Sequence, residues 1–200
     1  MHVARLLLFP GLLGILATPL AAQRHWSIGV EVGKASFNGH ASATVNSVET
    51  AAHPSPATTF GFRVSRTGTR VGFSLGVLFA STGVRFEDED IGAESRDILG
   101  LVEVSPQVSF VLLRPREAAF RVHLGAVLDH WSPEGASTRT SLGGVGGFSL
   151  GVPFSSRVSV EARWEMVLTG SVFEEGELPP QFGLKSGWSD RWVMGVTYRL

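Results

Sequence analysis

The chain has 200 residues, a formal net charge of −1, no cysteine, 24 glycines and 13 phenylalanines. The length suits one domain, the lack of cysteine excludes disulfides and zinc–thiolate sites, and the charge balance gives no electrostatic case for a nucleic-acid partner. Abundant glycine and aromatic residues favour short strands joined by turns over helices.

Residues 1–22 are laid out like a cleavable secretory signal peptide. Arg5 precedes an apolar run at about 6–16, and two alanines come directly before Gln23. The run is too short, and too interrupted by proline, for a comfortable membrane-spanning helix. We therefore expect a signal peptide at 1–22 and one exported β-barrel domain at 23–200.

Apolar and polar residues then alternate with a period of two. In the first segment Trp26, Ile28 and Val30 share one face, and Ser27 and Glu31 lie on the other. This is the pattern of a strand with one apolar face. The alternation predicts eight strands, at 25–37, 58–66, 70–81, 98–113, 118–131, 140–152, 157–170 and 191–200.

The connections between these segments alternate in length. Short ones lie at 67–69, 114–117 and 153–156, and long polar ones lie at 38–56, 87–97, 132–140 and 172–187. Outer-membrane barrels have short periplasmic turns and long external loops. The polar face also has only scattered charges, unlike a solvated surface. The sequence thus predicts an eight-stranded antiparallel up-and-down transmembrane β-barrel; the alternative is a soluble lipocalin-like exported binder of apolar ligands, with its apolar face inward.

Aromatic residues near the strand ends are expected to form belts at the two membrane interfaces, where amphipathic rings are favoured. One belt would hold Trp26 and Tyr198, and the other would hold Phe37, Phe86, Trp131, Phe173 and Trp188.

Charged residues on the polar face would point into the lumen. The acids are Glu31, Glu103, Asp129, Glu161 and Glu165, and the bases are Arg63, Arg121, Arg163, Arg191 and Arg199. An eight-stranded barrel is just wide enough for side chains to fill its interior, and buried charges require partners. We expect a structural ion-pair core; the alternative is a polar conduit or a proton-linked gate.

The ending "RWVMGVTYRL" keeps the alternation to Leu200 and places Tyr198 two residues before it. It resembles the C-terminal signature of bacterial outer-membrane barrels, although Leu200 stands where phenylalanine is usual. Over nearly all of 23–200 the chain resembles small barrels of the OmpA, OmpX and OmpW kind in architecture. The resemblance implies a bacterial outer-membrane location, contact with lipid and lipopolysaccharide, and recognition of the last strand by the barrel assembly machinery. It also implies a structural or surface-interaction role without enzymatic activity, cofactor or metal.

One constellation suggests an enzyme. In "DHWS", His130 and Ser132 share a face, and a histidine can activate a serine hydroxyl when a carboxylate orients it. The pair resembles the His-x-Ser of lipid A deacylase barrels, but the asparagine-rich residues around that motif are replaced by "PEGAST", which offers only Glu134. Because "HWS" also occurs at 25–27, we expect a rim histidine and serine, with a deacylase-like site as the alternative.

Acidic residues cluster in "EDEDIGAESRD" at 87–97 and "FEEGE" at 173–177. Such carboxylates could bind Ca²⁺ or Mg²⁺, but their spacing matches no known calcium motif. We expect solvated external loops there, with divalent-cation binding as the alternative.

Overall fold

The structure, a computed structural model, describes residues 25–39, 41–45, 48–87, 92–114, 118–135, 137–173 and 178–200. Its strands are β1 (His25–Asn38), β2 (Ala41–Val45), β3 (Val48–Pro54), β4 (Ala57–Thr67), β5 (Val71–Glu87), β6 (Gly92–Leu113), β7 (Ala119–Pro133), β8 (Arg139–Pro153), β9 (Val158–Thr169), β10 (Gly183–Leu184) and β11 (Gly187–Arg199). Within these ranges, no helix has the length and apolar character needed to cross a membrane.

Eight of the strands close into an antiparallel barrel. The order is β1-β4-β5-β6-β7-β8-β9-β11, and β11 returns to β1. The closing seam runs from Asn38↔Trp188 to Ser27↔Arg199, and the Leu200 amide donates to the Trp26 carbonyl at 2.9 Å. The predicted all-β, eight-stranded, up-and-down barrel is therefore confirmed.

The outer wall of the barrel is apolar on every strand. Phe62, Leu75, Leu124 and Trp192 are examples, and Trp192 is 61% exposed. Monomeric soluble proteins rarely expose apolar patches of more than a few hundred Å², so a wall of this kind is suited to lipid. The lipocalin-like alternative, which needs the apolar face inward, is wrong for this chain.

Connections at the two ends of the barrel differ. The connections from β4 to β5, from β6 to β7 and from β8 to β9 are short and lie at one end of the barrel, the short-turn end, where Leu200 also lies. The other connections lie at the opposite end, which we call the long-loop end. Two of the predicted long loops are wrong as loops. β5 continues to Glu87 and β6 begins at Gly92, and 84–87 pair with 92–95 as a two-stranded ribbon. The connection between β7, which ends at Pro133, and β8, which begins at Arg139, is shorter than the predicted 132–140.

The first long connection also contains unpredicted strands. β2 and β3 form a hairpin in which β3 pairs with β5 from Pro54↔Val84 to Ala51↔Glu87, and β10 pairs with β2. Spanning the hydrocarbon takes about 9 to 11 residues per strand. β5 has 17 residues and β6 has 22, so both run on beyond the apolar wall. There their backbone groups still need partners, but their side chains no longer need to alternate.

The aromatic belts are only partly as predicted. Trp26, Tyr198 and Trp188 are exposed on the outer wall. Phe37 and Trp131 instead point into the barrel, and with Phe173 and Phe86 they belong to an interior cluster. Phe37 lies six residues after Glu31, and Trp131 lies two after Asp129; even separations keep a strand residue on the same face.

Candidate functional site

An ion-pair cluster lies across the middle of the lumen, with Glu165 of β9 at its centre and 0% exposed. Its Oε1 is 3.0 Å from Arg163 Nε and 3.9 Å from Arg63 Nη2, and its Oε2 accepts from Arg191 Nε at 2.7 Å. Gln107 of β6 adds an amide hydrogen bond to Oε1 at 2.9 Å. One carboxylate therefore joins side chains from four strands.

The cluster extends in both directions along the barrel axis. Towards the short-turn end, Glu31 accepts from Arg63 and from Arg163, each at 2.6 Å. Towards the long-loop end, Arg191 donates to Glu103 at 2.6 Å, and Asp129 lies directly across from Glu103 in the sheet. The predicted ion-pair core is confirmed for Glu31, Glu103, Glu165, Arg63, Arg163 and Arg191, whereas Asp129 is buried without an ion pair among the described residues. Gln107 is an additional member that the sequence analysis did not predict.

An apolar plug fills the lumen between this cluster and the long-loop end. The rings of Phe37 and Trp131 meet edge to face with centroids 5.6 Å apart. The plug comprises Phe37, Leu78, Leu101, Trp131, Val172 and Phe173. Since Trp131 is only 3% exposed, the barrel has a dry core at this level as well as an apolar outer wall.

The lumen is open at the short-turn end. A cavity of about 700 Å³, which we call the vestibule, begins at Glu31, Arg63 and Arg163 of the ion-pair cluster. Its wall includes many serine and threonine residues, and arginines stand around its rim, among them the predicted inward residue Arg199. The ion pairs therefore separate a wet compartment from a dry one.

His130 and Ser132 lie where they were expected, exposed on the outer wall near the long-loop end. The His130 ring nitrogen Nδ1 is hydrogen-bonded to Thr140 Oγ1 at 3.0 Å, across the β7–β8 pair. Glu134 follows in an exposed turn. In the described part of the chain, no hydrogen bond connects His130 to Ser132 or to Glu134, so this geometry is that of a rim histidine.

Another histidine–serine pair, which the sequence analysis did not predict, lies inside the lumen. His123 Nε2 and Ser149 Oγ are 2.7 Å apart in neighbouring strands. His123 Nδ1 is buried and has no hydrogen-bond partner among the described residues, so no carboxylate orients the ring as a catalytic triad requires. The pairing of residues on β7 and β8 depends on register, which spacing along one strand does not reveal.

Metal binding has no support in the described ranges, where no group of three or more His, Asp or Glu side chains is arranged to hold an ion. The acidic side chains of 87–97 and of 174–177 lie outside the described residues. Divalent-cation binding by those loops therefore stays a prediction.

The comparisons with known proteins concern structure alone, because no protein-family model and no curated protein matches this chain. The outer membrane protein OprG from Pseudomonas aeruginosa aligns with a TM-score of 0.54 at 11% identity, covering 90% of this chain and 98% of its own. Neisserial surface protein A aligns with a TM-score of 0.54 at 14% identity, covering 88% of this chain and 97% of its own. The fold is that of the small outer-membrane β-barrels. AlkL, an outer membrane protein studied in lipid bilayers, shares this outer-membrane barrel fold with a TM-score of 0.53 at 10% identity, covering 90% of this chain and 91% of its own.

Proposed function

We propose that this chain is a bacterial outer-membrane barrel with a structural or surface-interaction role and without enzymatic activity. The observation that carries the proposal is the combination of an apolar outer wall with a lumen blocked by ion pairs and the apolar plug. The wall is suited to lipid and lipopolysaccharide, and the blocked lumen leaves little room for transport. Cell fractionation tests the location: recovery in the soluble fraction without detergent would contradict it.

The long-loop end is the proposed contact surface. There the β2–β3 hairpin, the β5–β6 ribbon and β10 form a sheet that continues beyond the apolar wall. Binding specificity generally lies in loops carried by a rigid scaffold. We also propose that residues 1–22 are removed on export, which N-terminal sequencing of the mature protein tests, and that the assembly machinery reads β11.

The proposed topology places the long-loop end outside the cell and both mature ends in the periplasm. Trypsin added to intact cells should then cut after Lys185, an exposed residue of the long-loop end. It should spare Arg70 and Arg157, which are exposed in the short turns. The matched control is the same digestion after permeabilisation, which admits trypsin to the short turns. Efficient cutting at Arg70 or Arg157 in intact cells would reverse the topology.

Conductance in planar bilayers should be absent or very small. Ions would have to pass Glu165, Arg163 and Arg191, whose pairs at 2.7 to 3.0 Å occupy the middle of the lumen, and then the ring pair of Phe37 and Trp131. An eight-stranded barrel has no spare width beside them. Large, stable single-channel steps from the purified protein would show that the lumen is open.

A further inference from the structure

Arginines at the rim of the vestibule lack the carboxylate partners that the deeper ones have. Arg114, Arg157 and Arg199 all line the cavity, and in the described part of the chain none of them lies within ion-pair distance of an acid. Arg114 donates to the Thr69 carbonyl at 2.6 Å, and Arg157 donates to the Tyr198 hydroxyl at 3.1 Å. Arg114 and Arg199 therefore place charges at the opening without neutralising partners, whereas the Arg157 guanidinium is held towards Tyr198 on the outer wall.

Arg121 adds a loosely paired charge to the same cavity. Its Nη1 atom is 3.6 Å from Glu161 Oε2, whereas the pairs of Glu31 with Arg63 and Arg163 are at 2.6 Å. The cluster holds the four acids Glu31, Glu103, Asp129 and Glu165 and the three bases Arg63, Arg163 and Arg191, so the positive excess lies at the vestibule. Low-dielectric walls focus such a field along the cavity and raise the local concentration of anions.

The wall between these arginines offers hydroxyl groups and open space. Ser65, Ser109, Ser159 and Thr197 line the cavity. Glycine helps to keep it wide: a Cβ at Gly151 would stand 2.8 Å from Arg121 Nη1, and one at Gly72 would stand 2.7 Å from Ser109 Oγ. The volume of about 700 Å³ lies within the roughly 300 to 1,000 Å³ that is usual for small-molecule sites.

We propose that the vestibule binds a soluble oxyanion that carries at least two negative charges on phosphate or carboxylate groups. Guanidinium groups bind both kinds of oxyanion through parallel hydrogen bonds, and hydroxyls can donate to the remaining oxygens. The occupant is a soluble molecule and not a lipid headgroup, because Arg199 and Arg121 face the lumen and the sheet separates them from the bilayer.

Titration calorimetry on the purified barrel in zwitterionic detergent at low ionic strength tests the proposal, with inorganic pyrophosphate and citrate as probes. At least one probe should bind saturably, with affinity falling as sodium chloride is added. The double variant R121Q/R199Q should bind about tenfold more weakly or worse, since it removes two charge-assisted contacts. The matched control is R66Q, which removes an arginine at the same end but on the outer wall, where Arg66 lies 5.6 Å over the Trp26 ring.

Binding of either pyrophosphate or citrate supports the site. Comparing the two shows whether the site takes phosphate or carboxylate oxyanions. Absence of saturable binding for both, or an equal loss in R66Q, overturns it. Vesicles with and without anionic phospholipid test whether the anion is instead a lipid headgroup. If Arg121 and Arg199 contribute only to binding of anionic vesicles, they bind headgroups and the proposal is wrong. Heat-modifiable gel mobility checks that each variant is folded. If the double variant does not fold, R199Q alone supplies the test, because Arg199 is at an exposed rim position.

Discussion

Truncation of residues 196–200 should abolish the folded barrel. These residues supply the pairs from Val30↔Val196 to Ser27↔Arg199 in the closing seam, and they also pair with the start of β9. Without them, backbone groups of β1 and β9 face hydrocarbon with no partner, and each such group costs several kcal/mol. A few losses exceed the roughly 5 to 15 kcal/mol by which a typical domain is stable. The truncated chain should fail to insert and should be degraded.

Heat-modifiable gel mobility of membrane fractions measures this result. The matched control is Leu200→Phe, which changes the same end of the chain but keeps the seam and moves the ending towards the usual signature, so its assembly should be equal or better. A compact, detergent-resistant barrel from the truncated chain at normal abundance would show that β11 is not needed to close the sheet.

Replacement of Glu165 by leucine should destabilise the barrel by about 3 to 5 kcal/mol, because it leaves buried guanidinium groups short of an anion. Arg63, Arg163 and Arg191 all lie within 3.9 Å of this carboxylate, and its side chain is 1% exposed. Urea unfolding of the protein in lipid vesicles gives the change in the free energy of unfolding.

Glu161→Leu is the matched control for that experiment. Glu161 is on the same strand and also faces the lumen, but its side chain is 22% exposed and its ion pairs are at 3.5 and 3.6 Å. Partly exposed pairs are typically worth about 1 kcal/mol or less. Equal unfolding midpoints for the two variants would mean that the cluster around Glu165 adds no more stability than a peripheral pair.

Most of the barrel could be predicted because a strand keeps its two faces along its whole length. Glu161, Arg163 and Glu165 follow each other at intervals of two and therefore lie on one face. Once the apolar face was assigned to lipid, all three were predicted to face the lumen. The same count applied to Phe37 and Trp131 would have placed both inside; position near a strand end was the misleading cue. The β2–β3 hairpin had no such signal, because outside the membrane its strands need backbone pairing but no apolar face.

Contacts across the lumen could not be predicted in the same way. Arg191 and Glu165 are directly opposed on neighbouring strands, so register alone brings them together. Arg63 reaches Glu165 from β4, a strand that does not adjoin β9. That contact exists only once the sheet has curved into a closed cylinder, so residue spacing along the chain cannot predict it.

The position of the ion-pair cluster has a consequence for how the barrel forms. Glu31 and Arg63 belong to the first part of the chain, whereas Arg163, Glu165 and Arg191 belong to the last. In an unclosed sheet these two groups lie far apart and their charges remain hydrated. Joining β1 to β11 brings the two groups together in one step, so the pairs of Arg163 with Glu31 and of Arg63 with Glu165 form only at closure. These two pairs across the seam therefore favour closure, and an almost complete barrel has neither of them.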